Sequence, residues 1–404
     1  MEPKIRLKGF SDEWTMRKLG SFGSVAMCKR VFKDQTSPIG DVPFYKIGTF
    51  GSSPDAYISR ELFLDYKSRF SFPLKGDILI SAAGTIGRVV EYLGEDAYFQ
   101  DSNIVWLNHN DEIENLFLKY LYTIIKWKGL EGATIKRLYN NIILDTEIYN
   151  PSKEEQIKIG EYFQHLDSLI QATAKKIESL KQVKAASLQS MFPQEGETAP
   201  RVRFKGFEGD WEKMLVGKMG TTYSGIAGKT KDDFGHGEAR FITFLNVLTN
   251  ARIDTSILEP VNICNGEKQN EVKKGDLLFN TSSETPEEVG MCATMAESIE
   301  NVYLNSFCFG FRVTEENIDS TFIAYLMRSH IGRKIMSILA QGATRYNLSK
   351  NSFCKAELLI PKTRKEQKAI AEYFTNLDEQ ITLQTQRLEK LKQIKSASLD
   401  NMFV

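Results

Sequence analysis

The stretch EYFQHLDSLI at 161–170 returns as EYFTNLDEQI at 372–381. The fold turns on why one chain carries this segment twice. Extended without a gap, Glu155–Phe192 matches Glu366–Phe403 at 19 of 38 positions, far more than chance supplies. Shorter matches precede it in the same order. PKIRLKGFSDEW (3–14) returns as PRVRFKGFEGDW (200–211), KGDILI (75–80) as KGDLLF (274–279), and GATIKRL (132–138) as GATRYNL (342–348). A chain of 404 residues with this pattern is a tandem duplication of a unit of about two hundred residues. The intervening segments, roughly 24–130 and 221–340, agree at little beyond these turns.

The matched ends read as helices. Each follows a proline and a capping-box pattern, Ser152 to Glu155 and Thr363 to Glu366, in which the hydroxyl accepts from the backbone three residues on and the Glu reaches back. Beyond the caps the apolar spacing is heptad-like. Phe163, Leu166, Ile170, Ile177 and Leu180 form one seam, and Phe374, Leu377, Ile381, Leu388 and Leu391 the other. Thr173, Lys184 and Ser187 interrupt the first seam, as Gln384, Lys395 and Ser398 interrupt the second, a pattern that costs stability but fixes register. An isolated helix of this kind could lie on its own domain's core. Two matched copies favour pairing with each other, in a direction the sequence leaves open.

Between the matched ends, runs such as DVPFYKIGTFGSS, KGDILISAAGTIGRVV and AYFQDSNIVWLN alternate β-branched and aromatic residues with Gly, Pro, Asp and Ser breaks. They predict short strands joined by functional loops. Helices are expected at about 113–127 and 319–339, each with a Leu/Ile-x-x-Tyr-Leu spacing. The fold class is α+β. The domain organisation expected is a first domain at 1–150, a helix at 151–192, a linker at 193–200, a second domain at 201–360 and a helix at 361–404.

Composition narrows the function. With 42% apolar and 26% charged residues the chain is ordinary globular protein. Lys plus Arg equals Asp plus Glu at 52 each, so any grip on phosphates must come from local patches or a helper. The five cysteines contain no CxxC pair and the four histidines stand apart, so no disulfide framework or metal site is spelled out, and the thiols are expected to be reduced and mostly buried. No run of eighteen apolar residues occurs, which leads to the expectation of a cytoplasmic protein with no membrane partner.

Catalytic motifs are scarce. The chain has no GxGxxG or GxxxxGK[ST] phosphate cradle, no GxSxG and no HExxH, and the string nearest a methyltransferase motif, Asn150-Pro151-Ser152, lacks the second proline. Pro54-Asp55 with Asp65-Tyr66-Lys67 matches the loose PD-(D/E)xK nuclease pattern, whose carboxylates hold a water-activating metal. The match is short and has no equivalent in the other copy. A solvated loop is the preferred reading.

The doubled set RLKGF..EW and RFKGF..DW, KGDIL and KGDLL, the two GAT segments, and the KEEQ…EYF..LD and RKEQ…EYF..LD helices resembles the specificity (S, HsdS) subunit of type I restriction-modification systems. The resemblance spans essentially the whole chain. It implies two target recognition domains, each reading one half of a bipartite DNA site, with the long helices paired as an antiparallel coiled coil that serves as a ruler. It also implies a non-catalytic chain on which two methyltransferase (M) subunits dock, joined by restriction (R) subunits, with S-adenosylmethionine bound by M and no cofactor in this chain. Base edges in the major groove need bidentate donors and acceptors on loops beside strands. The candidates are Ser81, Thr85, Arg88, Gln100, Asn103, Lys136, Arg137 and Asn140 in the first copy, and Ser282, Ser283, Thr285, Asn305, Arg345, Tyr346, Asn347 and Lys350 in the second. Some would be turn formers or phosphate contacts. A coiled-coil scaffold without DNA, and the nuclease, are the rival readings.

Overall fold

The computed structural model describes residues 2–127, 137–264, 266–342 and 344–404. The chain divides into two compact units, residues 1–174 with 385–404, and residues 175–384. The division cuts both long helices, Lys153–Ser190 and Arg364–Met402. Each unit therefore holds the start of one helix and the end of the other.

The two units repeat one strand plan. In the first, a four-stranded antiparallel sheet runs Gly23–Met27, Ile104–His109, Ile78–Ser81, Val89–Glu91. In the second the order is Gly220–Ser224, Cys308–Val313, Leu277–Asn280, Cys292–Thr294. The KGD turns feed the third strand of each sheet, as their composition predicts. Gly76 and Gly275 take left-handed φ values of 97° and 87°, and Asp77 and Asp276 accept the N–H groups of Leu74 and Lys273 at 2.7 and 2.9 Å. The strands that follow are buried at every position, which is why they read as continuous apolar runs.

A three-stranded sheet accompanies each: Tyr57–Ile58, Val42–Tyr45, Tyr98–Phe99 in the first unit and Glu259–Val261, Phe234–Ile242, Val302–Leu304 in the second. Thr15–Lys18 pairs with Glu147–Asn150, and Glu212–Leu215 with Glu357–Ile360, closing each copy just before its long helix. The diverged middles thus keep their topology although their sequences have drifted apart.

Within each unit the helix segments run antiparallel. In the first, the Tyr162 hydroxyl meets Ser398 Oγ at 3.0 Å and Lys395 Nζ donates to Asp167 at 2.5 Å. In the second, Ser187 meets Tyr373 at 2.9 Å and Lys184 donates to Asp378 at 2.5 Å. Four of the polar breaks in the seams, Lys184, Ser187, Lys395 and Ser398, are therefore partnered positions, while Thr173 donates to the Leu169 carbonyl of its own helix. Asp167 also accepts from the Tyr120 hydroxyl and Asp378 from Tyr325, both at 2.9 Å.

The seam residues divide between two tasks. Phe163 and Phe374 are fully buried in the domain cores, against Tyr120 at 5.0 Å and Tyr325 at 5.1 Å. Leu166, Ile177 and Leu377 are also buried, while Ile170, Leu180, Ile381, Leu388 and Leu391 are half-buried. Both sequence readings of these helices hold in part: one stretch lies on a core and another pairs.

The helix ends lock the arrangement. Phe192, ending the first helix, packs in the second unit on Phe374 and Phe322, each at 5.8 Å. Phe403, ending the second, packs in the first unit on Phe163 at 5.8 Å and Phe117 at 5.4 Å. Each such phenylalanine contributes roughly 2–3 kcal/mol of burial. Because each copy's plug must fit the other copy's socket, the two ends constrain one another's sequence.

Two expectations need correction. The serine and threonine caps form, with Glu155 N–H to Ser152 Oγ and Glu366 N–H to Thr363 Oγ1 both at 3.4 Å, but the glutamates do not reach back to the cap. Glu155 is buried and takes Arg6 bidentately, at 2.8 Å to each oxygen, and the Trp14 indole at 3.1 Å. Glu366 takes Arg203 at 2.6 and 2.8 Å and Trp211 at 3.4 Å. The Arg and Trp of each RxKGF…W anchor are its partners, and a bidentate guanidinium outcompetes a backbone amide that water can serve. The expected helix at 319–339 is two, Ser320–Arg328 and His330–Leu339. Ser329 is extended between them and caps the second, and a Cβ on Gly332 would lie 2.0 Å from the Leu326 carbonyl oxygen. The cysteines agree with expectation: all five are free, and Cys28, Cys292 and Cys308 are buried while Cys264 is exposed. Among the described residues no helix is long and apolar enough to cross a membrane.

Candidate nucleic-acid interface

In the first unit the strand Ile78–Ser81 leads into a turn through Gly84 and Gly87, at φ 65° and 80°. Ser81 is buried inside it, donating to the Thr85 carbonyl at 2.5 Å and accepting the Arg88 N–H at 2.8 Å. Thr85 and Arg88 stay exposed on its rim, with Arg88 Nη1 anchored on the Phe50 carbonyl at 2.6 Å. Gln100 accepts from the Ile47 N–H at 2.8 Å, so loop 46–52, with its exposed Lys46, is drawn to the same place. Arg137 donates to Ser102 at 2.6 Å and forms a bridge with Ala83, beside Asn103, whose carbonyl accepts from Ala82. Asn140 is exposed at the start of the helix Asn140–Asp145. Lys136 and the first GAT segment lie outside the described residues. Thr85, Arg88, Gln100, Asn103 and Arg137 thus converge, while Ser81 spends its hydroxyl on the turn.

In the second unit the same position carries a three-stranded sheet, Ser282–Ser283, Tyr346–Leu348, Ala340–Gln341. Its register sets Ser282 opposite Asn347 and Ser283 opposite Tyr346. Arg345 Nε donates to Ser282 Oγ at 3.3 Å, and Asn347 to the Arg345 carbonyl at 3.1 Å. Thr285 is exposed on the loop that follows. Asn305 is buried, with Nδ2 on the Ile242 carbonyl at 3.0 Å and Oδ1 on the Phe307 N–H at 2.9 Å, so it shapes a turn. Lys350 donates to Ser224 Oγ at 2.6 Å.

The supports under this edge went unnoticed in the sequence. Asn280 is buried and ties the loop through the Glu288 carbonyl at 2.8 Å and the Met291 N–H at 2.5 Å. Arg333 donates to the carbonyls of Glu287 at 3.0 Å and Gly290 at 3.1 Å and to that of Val289, and its burial lowers its pKa to about 10. Arg328 is held by the carbonyls of Cys292, Val247, Leu248 and Asn250. No sequence pattern marks an arginine whose partners are carbonyls brought in by folding.

The acidic pair of the nuclease pattern is turned elsewhere. Asp55 pairs with Lys46 at 2.8 Å, Asp65 with Arg69 at 3.1 Å, and Lys67 Nζ lies over the Phe63 and Phe72 rings. Among the described residues no group of three His, Cys, Asp or Glu could hold a metal ion.

Comparison with known proteins accounts for the doubled plan. The family model for the type I restriction modification DNA specificity domain matches twice, at residues 11–182 and 209–393. A Haemophilus influenzae protein named as a type I restriction enzyme specificity subunit is 54% identical over 154 residues, 38% of this chain and 40% of that one. The specificity subunit of the MjaX type I restriction enzyme of Methanocaldococcus jannaschii is 23% identical over 97% of this chain and 93% of its own length. In structure, the type I restriction-modification S subunit of M. genitalium is similar with a TM-score of 0.61 at 16% identity, over 100% of this chain and 99% of that one. With two matches to the domain and a duplicated α+β plan on two long helices, the chain belongs to the family of type I restriction-modification specificity subunits.

Proposed function

We propose that the chain reads a bipartite, asymmetric DNA site, one half with each copy's domain, at about 1–150 and 201–360, and docks two methyltransferase subunits through the helices at 151–192 and 361–404, with 193–200 as linker. Restriction subunits would complete the assembly, in the cytoplasm. In this reading the chain itself transfers no methyl group and cuts no DNA, and S-adenosylmethionine belongs to the methyltransferase subunit. The observation that carries the reading is a shared strand plan presenting unlike polar edges in two units whose helix ends pack alike. Unlike edges suit unlike half-sites, since sequence is read by base contacts.

Methylome sequencing of a host expressing the chain with its methyltransferase partner returns the motif. Replacing residues 24–140 by the same span of another specificity subunit is expected to change one half of it and leave the other. A change in both halves would refute the division of labour.

A further inference from the structure

Beside the polar edge of the second unit lies a cleft of about 440 Å³, lined among others by Ser224, Gly228, Lys229, Thr281, Ser306 and Lys350. It adjoins the candidate readers directly. Thr281 precedes Ser282, and its carbonyl accepts the Leu348 N–H at 2.8 Å from the strand carrying Tyr346 and Asn347. The two lysines differ in charge balance. Lys229 is compensated by Glu267 at 2.5 Å and Asp233 at 3.9 Å. Lys350 instead rests on a neutral group, Ser224 Oγ, at 2.6 Å. Among the described residues the cleft therefore carries one cation, Lys350, without a carboxylate beside it, with the hydroxyls of Ser224, Thr281 and Ser306 around it. Gly228 has φ 69°, and a Cβ there would meet nothing within 4 Å, so the backbone is open to a ligand's approach.

The first unit lacks the same equipment at the same places. By strand register Met27 stands where Ser224 does, opposite Val105 as Ser224 is opposite Phe309. Ala82 stands where Thr281 does, accepting the Leu138 N–H at 2.8 Å. Asn140, two residues past Leu138, stands where Lys350 does.

We propose that this cleft seats one phosphate of the DNA backbone, held by the Lys350 ammonium and the cleft's hydroxyls, and that it sets the register of the second unit on its half-site. The proposal rests on the DNA-reading function above. A phosphate contact carries no sequence information but releases a counterion, so it shows in the salt dependence of binding.

The test uses the full chain assembled with its methyltransferase subunits, binding duplex containing the methylated motif across a range of salt. Lys350→Gln is expected to lower the slope of log K against log salt by about one while leaving the motif unchanged. Lys350→Arg, which keeps the charge, retains the slope, as does Lys355→Gln, which removes an exposed lysine outside the cleft. An unchanged slope in Lys350→Gln, an equal drop in Lys355→Gln, or a relaxed base preference at one position of the motif would each overturn the proposal, the last by making the cleft a base reader. Titration of the DNA-free assembly with inorganic phosphate separates the sources. Weak millimolar binding fits a backbone phosphate, and Lys350-dependent micromolar binding would make this a free-phosphate site. If the unaltered assembly shows no salt-linked duplex binding, the DNA-reading function fails before the cleft is in question.

Discussion

Where the second unit builds a three-stranded sheet of Ser282–Ser283, Tyr346–Leu348 and Ala340–Gln341, the first shows a single bridge, Ala83 to Arg137, among its described residues. Yet the two units match nearly atom for atom where the anchors meet the long helices: Arg6, Trp14 and Glu155 against Arg203, Trp211 and Glu366, and Tyr120, Asp167 and Lys395 against Tyr325, Asp378 and Lys184. The difference separates two kinds of constraint. Residues that must satisfy a partner on another segment are held fixed. Residues on an exposed edge answer only to what they touch outside the chain.

The strongest way to break this comparison is at the buried glutamates. Glu155→Ala strands the Arg6 guanidinium and the Trp14 N–H, and Glu366→Ala does the same to Arg203 and Trp211. Each is expected to cost about 3 kcal/mol, read from denaturant midpoints. A large loss in one unit and none in the other would show that the anchors are not equivalent.

Arg328 probes the unequal part. In the first unit Thr123 stands at its position, three residues past Tyr120 as Arg328 is past Tyr325, and donates to its own helix at the Tyr120 carbonyl. Arg328→Met is expected to cost about 2 kcal/mol by leaving carbonyls at the end of Phe244–Thr249 without a donor. Hydrogen exchange should locate the loss around 247–250, and uniform loosening of the whole chain would contradict it.

Weaker effects belong to the helix seam. Lys395→Met and Lys184→Met remove ion pairs whose side chains are about a quarter to a third exposed, and about 1 kcal/mol is expected from each. A double-mutant cycle of Lys395→Met with Asp167→Asn measures the coupling. A coupling near zero would leave Tyr120 as the true partner of Asp167.

The smallest expected effect is in acid. Glu267 is held at about 2 by the Gln269 amide, Lys229 and the Cys264 N–H, against an ordinary value of 4.5. A lowered carboxyl stabilises the fold above its unfolded pKa, and that contribution disappears as pH falls through the folded value. The amides of Cys264 and of residues 266–269 should keep their shifts at pH 5 and lose them between about pH 4.5 and pH 2. By strand register the first unit has Phe32 in place of Lys229, and the stretch after Tyr57–Ile58 that corresponds to this loop is the helix Arg60–Arg69, so the first unit should not share this transition. Opening already at pH 6 would show that the ion pair does not hold the loop.

Much of the architecture was legible beforehand because repeats and periodicity are local patterns. The duplication, both long helices and both KGD turns follow from spacing alone. The break at Ser329 did not, since its signs, a serine cap and a glycine that lets the chain pass close to the Leu326 carbonyl, gain meaning only once the two helices are seen to fold against each other. Among the candidate readers, Thr85, Arg88, Arg137, Ser283, Arg345 and Asn347 reached shared edges, whereas Ser81 and Asn305 went to turns. Polar residue type is common to both fates, and burial decides between them.

The sequence by itself determined that this is one unit written twice, with fixed ends and free middles, because identity at matched spacing survives without coordinates. The antiparallel direction of the helices, the capture of Glu155 and Glu366 by distant Arg and Trp residues, and the seating of Lys350 on the Ser224 hydroxyl were decided only by tertiary structure. Each depends on which groups meet across more than a hundred residues of chain. Charge balance and hydrogen-bond satisfaction are properties of neighbours in space, and no count along the chain contains them.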